Sequence, residues 1–394
     1  MAENFDVVIA GGAVIGSSIA WHLAAHPAFS GRILVVEPDM TYQRSASALS
    51  AGSIRQQFSQ PVNVAISLYG IGFLRAIGDI LAVESDRPSV SLHEGGYLYL
   101  GAEAHREGFE ANNAIQRQMG ADIALLDAAG LKQTFPWLET SDLAIGSYGV
   151  SGEGWFDGYG LMQAFRAKAR SLGVEYRLGR VTGVEIASAR ASAVTLEDGS
   201  RIGCGAVVNA AGASGARALS AAMGFPVPVY AKKRCVFGFA CKEQLPRHPL
   251  IIDRSGVWWR PEGEGYIAGY SPDDLDESDH ATDFEVDWAL FETVIWPALA
   301  ARIPAFEAIR PGRAWAGHYD MNLLDHNALV GRVPGLSNGF IACGFSGHGL
   351  QQSPAVGRGL AELVTEGRYT SLDLADLSPE RVLTGRPLLE RNVI

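Results

Sequence analysis

Cysteine is scarce in this chain, with four residues in 394: Cys204, Cys235, Cys241 and Cys343. None forms a C-x-x-C pair and none is spaced from a histidine as a zinc ligand would be, so no metal site is expected and the thiols read as buried and free. Proline is sparse as well, 18 residues against 46 glycines, and charged residues make up only 19% beside 47% hydrophobic ones. That balance excludes a disordered or fibrous chain and leaves a globular one. Basic residues are outnumbered, 32 Lys and Arg against 43 Asp and Glu, for a net charge of -11. A phosphate-neutralising surface has no support in such a balance, and nucleic acid is not an expected partner. Long apolar runs are also missing. The one candidate, Phe5 to Ala25, is interrupted by Gly11, Gly12 and Gly16 and preceded by Met1-Ala2-Glu3-Asn4, which holds no basic residue. It reads neither as a membrane span nor as a signal peptide, so no transmembrane segment and a cytoplasmic location are expected.

What is present begins at the amino terminus. Phe5 to Ala10 carries the β-branched run Val7-Val8-Ile9 and reads as a short buried strand that stops at Gly11-Gly12. A helical pattern follows from Ser17 to Ala25, and Arg32 to Glu37 gives a second strand. In that setting Gly11-Gly12-Ala13-Val14-Ile15-Gly16 occupies the place of a dinucleotide-binding turn. Gly11 permits the tight bend, Gly16 lets the helix pack on the strand, and main-chain N–H groups at the helix start hold a pyrophosphate without any basic side chain. Ala13 stands where the middle glycine is usual and adds a methyl group to the surface the phosphates approach. Glu37, 21 residues after Gly16, ends the second strand, where a carboxylate accepts hydrogen bonds from adenosine ribose hydroxyls and repels a 2′-phosphate. An adenine dinucleotide, FAD or NAD, is the expected ligand.

Past Glu37-Pro38 the chain does not continue as a plain nicotinamide domain but enters the small-residue stretch Ser45-Ala46-Ser47-Ala48-Leu49-Ser50-Ala51-Gly52-Ser53-Ile54-Arg55. Four blocks in order, Gly11 to Glu37, Ser50 to Phe58, Gly154 to Leu161 and Gly344 to Gln352, resemble the D-amino acid oxidase superfamily. That superfamily includes sarcosine oxidase, glycine oxidase, dimethylglycine dehydrogenase and D-amino acid dehydrogenase. The blocks SAG-x-IRQQFS, EGWFD and GFSGHGLQQ look in particular like the subgroup of the mitochondrial FAD-dependent oxidoreductase that assists respiratory complex I assembly. The resemblance implies FAD. Amides of Ser50, Ala51, Gly52 and Ser53 would pass close to pyrophosphate and isoalloxazine, and Arg55 would contact the flavin or substrate. Ala210, Ala211 and Gly212 match a second cofactor-side turn, and Val181 matches a residue whose backbone meets the adenine. Gly344, Ser346, Gly347, His348 and Gly349, running on into Leu350 and Gln351, match a helix N-terminus that faces the flavin pyrimidine ring, where the helix dipole favours the negative charge of reduction. Gly317 stands at the position of the flavin-linking cysteine of monomeric sarcosine oxidase, so a non-covalent flavin is implied. Ile267 and Gln351 likewise stand where that enzyme has lysines that activate oxygen and bind a carboxylate.

The expected fold is α/β: a Rossmann-type FAD-binding domain, built from 1–85, 146–225 and 325–394, with an inserted, largely antiparallel-sheet substrate domain of α+β type, 86–145 and 226–324. Runs such as Gly96 to Leu100, Arg234 to Phe239, Val257 to Arg260 and Tyr266 to Tyr270 read as strands of that second sheet. The site is expected between the lobes. Family chemistry implies hydride loss from the carbon next to an amine, with protein groups orienting the substrate. A substrate carboxylate calls for a basic residue, for which Arg55, Lys233, Arg234 and Arg260 are candidates, with Trp258 and Tyr319 as walls and Arg55, His348 and Tyr319 as candidates nearest the chemistry. The Lys232-Lys233-Arg234 run suits a second carboxylate. The expected substrate is an amino acid or a secondary amine of N-substituted glycine or iminodicarboxylate type. Two other readings stand beside it: a flavoprotein acting as an assembly or interaction factor, and an FAD-dependent hydroxy-acid or glycerol-phosphate dehydrogenase.

Overall fold

The computed structural model describes residues 3–243, 245–246, 248–272 and 276–392. The strand Asn4–Ala10 lies at the centre of the first sheet because both of its faces are covered; Val8 and Ile9 have no exposed surface. It pairs in parallel with Ile33–Glu37 on one side and Arg201–Asn209 on the other, and the parallel order continues outward to Glu175–Leu178 and Gly339–Cys343. Continuous β-branched runs are what a strand buried on both faces requires. The antiparallel pair Val181–Ala187 and Arg190–Leu196 joins this sheet through Arg201–Asn209.

The first helix spans Val14–Ala25, three residues earlier than its apolar pattern alone indicates, because extended Ala13 already serves as its N-cap. The helix Gly349–Glu366 packs beside it. The fit is close enough that a Cβ on Gly357 would sit 2.1 Å from the Ser18 hydroxyl oxygen. Pro354 lies within that helix and cannot donate to the Leu350 carbonyl. The Ser353 hydroxyl donates to that carbonyl instead at 2.8 Å.

The second sheet has eight strands, ordered Ile309–Asn322, Val229–Cys241, Gly265–Tyr270, Val257–Glu262, Leu250–Ile252, Tyr97–Gly101, Ile145–Gly149 and Ile123–Asp127. All pairs are antiparallel except Leu250–Ile252 with Tyr97–Gly101. Strand alternation gives the sheet two characters. Cys235, Phe237, Trp259 and Ala268 face an apolar core beneath helices around 291–303. Val236, Trp258, Ile267 and Tyr97 face the other way, toward Ala51 and Trp155 of the cofactor lobe. The strand Ile145–Gly149, all but the first residue of which the boundary at 146 assigns to the cofactor segments, is hydrogen bonded within this second sheet; its short Ile-Gly-Ser-Tyr-Gly run carries no mark of which sheet it joins.

Candidate active site

Glycine geometry defines the nucleotide turn. Gly11 has φ +97°, and a Cβ there would lie 2.2 Å from the Ala210 carbonyl oxygen; on Gly16 it would lie 1.8 Å from the carbonyl oxygen of Gly11. The two glycines therefore let the first turn touch both its own helix and the second turn, Ala210-Ala211-Gly212. Asn209 closes that second turn. Its Nδ2 donates to Ala216 O at 2.8 Å and its Oδ1 accepts from the Ala211 N–H at 3.2 Å. Glu37, 8% exposed, accepts from the Gly12 N–H at 2.8 Å and from the Asp39 N–H, just past Pro38, at 3.0 Å. Burial pushes its carboxyl pKa up while these N–H groups pull it down. Its main-chain oxygen accepts from Gly179, which draws Val181 alongside. The Ser45 side chain caps the short helix Ala46–Leu49, and the Ser47 hydroxyl accepts from the Val14 N–H at 3.3 Å beside Ile15.

The remaining blocks meet one another. Ser53–Ile54 pairs antiparallel with Gly154–Trp155. Gly52, with φ +62°, lies so close to that ribbon that a Cβ would come within 2.2 Å of Phe156 O, while Ser50 Oγ accepts from the Gly52 N–H at 3.1 Å. Gly158 abuts Leu350, a Cβ there falling 2.5 Å from Leu350 Cδ1. The loop from Gly344 to His348 takes positive φ at Gly344, Ser346 and Gly347 and so turns the N-terminus of Gly349–Glu366 into the space between the lobes. Gly347 packs flat against Tyr319, where a Cβ would approach the ring to 2.4 Å.

Arg55 sits where these pieces join. It is 1% exposed. Its N–H donates to Gln351 Oε1 at 2.9 Å, Nη1 to Gln57 O at 2.9 Å, and Nη2 to His348 Nε2 at 2.9 Å and to Asn392 O at 2.5 Å. The guanidinium stacks 4.1 Å from the Phe58 ring centroid. Among the described residues its hydrogen-bond partners are carbonyls and an imidazole, none of them a carboxylate. Because arginine is only a donor, His348 Nε2 must accept, which leaves the proton on Nδ1. That Nδ1 is buried with no partner among the described residues. Burial, reinforced by the Arg55 charge, holds the His348 pKa well below the ordinary imidazole value, so the ring is neutral.

The other basic candidates are placed differently. Lys233 alternates onto the side of Cys235 and Phe237, away from the crevice, and its Nζ donates to Asp283 at 2.5 Å. Lys232 is fully buried and donates to Asp276 Oδ1 and Ser278 Oγ at 2.5 and 3.0 Å. The run is thus split between two faces and tied up by acids that follow it in the chain, a consequence of strand alternation; it is not one anion site. Arg234 stays on the crevice face, 5.2 Å from the Tyr319 ring centroid. Arg260 donates to Ala51 O at 2.8 Å, lies over Trp155 and pairs with Glu262, so it ties the lobes together. Trp258 lies 8% exposed on the crevice face. Gln351 spends its carbonyl oxygen on Arg55.

Glu153 was not among the sequence candidates. It is fully buried, accepts from the Gln56 N–H at 2.5 Å and from Gln57 Nε2 at 2.8 Å, and its pKa is pushed up to about 7 by burial. Its sequence signal is its place as the first residue of the EGWFD block. Asp320 was also missed; burial raises it to about 6 while the Gly344 N–H donates to it at 2.8 Å.

The description "FAD dependent oxidoreductase" of the DAO family model matches residues 6–363. The chain belongs to that family. It is 41% identical over its full length to FAD-dependent oxidoreductase domain-containing protein 1 of Xenopus laevis, covering 85% of that protein, and 40% identical to that of Bos taurus, covering 87%. It is 24% identical to mitochondrial sarcosine dehydrogenase of Homo sapiens over 93% of the chain, which spans 40% of that protein. Among solved structures, L-proline dehydrogenase from P. horikoshii superposes with a TM-score of 0.84 at 26% identity, over 98% of this chain and 99% of that one. Glycine oxidase from Geobacillus kaustophilus gives 0.80 at 23% identity, over 96% and 99%, and shares the fold.

FAD is the family's cofactor, and the residues here fit it. The turn Gly11–Gly16 at the start of the first helix would take the pyrophosphate, Glu37 the ribose hydroxyls, and the loop Gly344–His348, whose Nδ1–H has no partner among the described residues, the polar edge of the ring. At Gly317 a Cβ would come 2.9 Å from that of Leu49, so a thiol side chain has no space without a shift. No helix among the described residues is long and apolar enough to cross a membrane.

Proposed function

We propose that this oxidoreductase breaks the α C–H bond of a carboxylated amine, an amino acid or N-substituted glycine, with Arg55 as the carboxylate anchor. The observation that carries this reading is the Arg55 guanidinium, 1% exposed at the meeting point of the blocks and held only by neutral acceptors among the described residues. A buried cation without a counter-ion among the described residues is costly, and a substrate carboxylate supplies one by accepting from a guanidinium hydrogen not already donated. FAD, when bound, supplies the hydride acceptor. The substrate carbon next to nitrogen loses a hydride as the nitrogen lone pair closes the C=N bond, and water then splits the imine. Neutral His348 adds no second positive charge beside Arg55, and the apolar face of Tyr97, Trp258, Ile267 and Val236 keeps the crevice dry. Names of relatives support an amine or amino acid substrate: 4-methylaminobutanoate oxidase of Paenarthrobacter nicotinovorans, 25% identical, and glycine oxidase of Geobacillus kaustophilus, 27% identical. Anaerobic mixing of the holoenzyme with a panel of amino acids, N-methylated amino acids and iminodicarboxylates is expected to bleach the flavin band with at least one. Failure of every member overturns the reading.

A second reading, a flavoprotein serving as an assembly or interaction factor, is favoured by the full-length similarity to FAD-dependent oxidoreductase domain-containing protein 1. A stable respiratory partner recovered with the protein, together with no turnover on any amine, would decide for it.

A further inference from the structure

The helix Arg106–Gln118 presents Phe109, Asn112 and Gln116 at i, i+3 and i+7, and so along one stripe. Facing that stripe are Gln57, Tyr99, the Ser147 that pairs with Tyr99 on the neighbouring strand, and Asn392. Between them lies a chamber of about 10 Å³, room for one water-sized group.

The polarity of this chamber can be worked out atom by atom. Gln57 Nε2 donates to Tyr97 O at 3.2 Å and to Glu153 Oε2 at 2.8 Å. Gln116 Nε2 donates to Phe58 O at 3.0 Å. These partners are carbonyl and carboxylate oxygens, so the two amides cannot be turned over without setting oxygen against oxygen. The carbonyl oxygens of Gln57 and Gln116 are thereby left over, and both are buried without a partner among the described residues, as is the Tyr99 hydroxyl. Both glutamines are 1% exposed. Two fixed acceptors and one hydroxyl therefore line the same small space. A carboxylate there would face the two amide oxygens acceptor against acceptor. A cation would lie beside Arg55, whose guanidinium is 5.8 Å from the Tyr99 ring centroid. A neutral hydroxyl can donate to one of the amide oxygens while accepting from Tyr99.

The chamber also shares its walls with the carboxylate anchor. Arg55 donates to the main-chain oxygens of Gln57 and Asn392, the same residues whose side chains line the chamber. We propose that the chamber is a distal subsite for a neutral hydrogen-bond donor, a hydroxyl, carried by a substrate whose carboxylate Arg55 holds. This rests on the reading of Arg55 given above.

The test is titration of the holoenzyme with non-oxidisable carboxylates in matched sets of three to six carbons, each ending in a methyl, a hydroxyl, a primary amide or a second carboxylate, read by the change in flavin absorbance. The hydroxyl-ended member is expected to bind at least tenfold tighter than its methyl- and carboxylate-ended partners at one chain length. Gln116→Leu is expected to shrink that preference below twofold, and Tyr99→Phe, the gentler change, to reduce it several-fold. Equal binding across each set, tightest binding by dicarboxylates, or a preference untouched in whichever variant folds would overturn the proposal. So would a crystal structure in which an ordered water keeps the chamber while a donor-ended ligand points elsewhere. If amines bleach the flavin but the sets show no preference, the subsite fails alone. If the preference holds and no amine bleaches the flavin, the subsite stands and the amine reading fails.

Discussion

At Gly16 a side chain has nowhere to go, since even a Cβ would lie 1.8 Å from a main-chain oxygen. Gly16→Val is therefore expected to abolish FAD binding, whereas Ala13→Gly, at the half-buried N-cap of the same helix, leaves it intact or tighter; flavin retained through gel filtration measures both. The reverse order would show the turn to be misplaced. Glu153 offers a test of another kind. Its carboxyl is raised from the ordinary 4.5 to about 7, so between these values the folded state holds a proton that the unfolded state has lost. Stability is then fully present below about 4.5 and falls as pH rises toward 7, by about 3 kcal/mol for this group. Asp320, raised to about 6, adds a slope of the same sign. Glu153→Gln is expected to flatten most of this slope in urea midpoints measured between pH 5 and 7, while lowering stability overall because its amide meets that of Gln57. An unchanged slope would refute the assignment.

Among the elements, the short ribbon of Ser53–Ile54 with Gly154–Trp155 does more than its size suggests. It joins two segments about a hundred residues apart and aims Arg55. Gly154 has φ +156°, and a Cβ there would fall 2.0 Å from His93 O, in main chain that cannot yield cheaply. Gly154→Ala is expected to cost about 2–4 kcal/mol in unfolding free energy, as overpacking against backbone does, and to weaken FAD binding in parallel. Stability and affinity that both match the parent would exclude a role for the ribbon in shaping the site. The ribbon was only half visible in the sequence. Its glycines mark close approach, but pairing between distant short strands carries no local periodicity.

For the whole molecule, three hydrogen bonds from one lobe reach the other near the flavin loop: Arg260 Nη2 to Ala51 O and Trp315 Nε1 to Leu49 O, both at 2.8 Å, and Tyr97 Oη to Ser53 Oγ at 3.1 Å. The segment 388–392 closes the opposite side. Glu390, wholly buried, accepts from Ser59 N–H and Oγ and from Asn63 Nδ2 at 2.8–2.9 Å. Glu390→Ala leaves those donors unpaired and is expected to destabilise by about 2–4 kcal/mol. Because the same segment supplies the Asn392 oxygen to Arg55, it is also expected to weaken carboxylate binding. Thermal unfolding of parent and variant, with ligand titration, checks both effects. Saturating FAD, binding only the folded state, should raise the transition in each, by about 2.7 kcal/mol at a hundredfold excess over Kd.

The amino-acid sequence by itself determined the α/β cofactor lobe, the glycine turn with Glu37, the strands of the second sheet and the identity of Arg55 and His348 as residues to watch. The lobe, the turn and the strands rest on local rules, on β-branched runs, on glycines and on spacing, whereas Arg55 and His348 rest on the resemblance of their blocks to the D-amino acid oxidase superfamily. Only the tertiary structure decided that Lys232 and Lys233 are spoken for by Asp276 and Asp283, that Glu153 lies buried beneath the Arg55 loop, and that Gln57, Gln116, Tyr99 and Asn392 share one chamber. Those four chamber residues come from four separate stretches of chain. Whether a polar group is satisfied or left with an empty valence depends on which distant neighbour the fold sets against it, and no pattern along the chain records that distance.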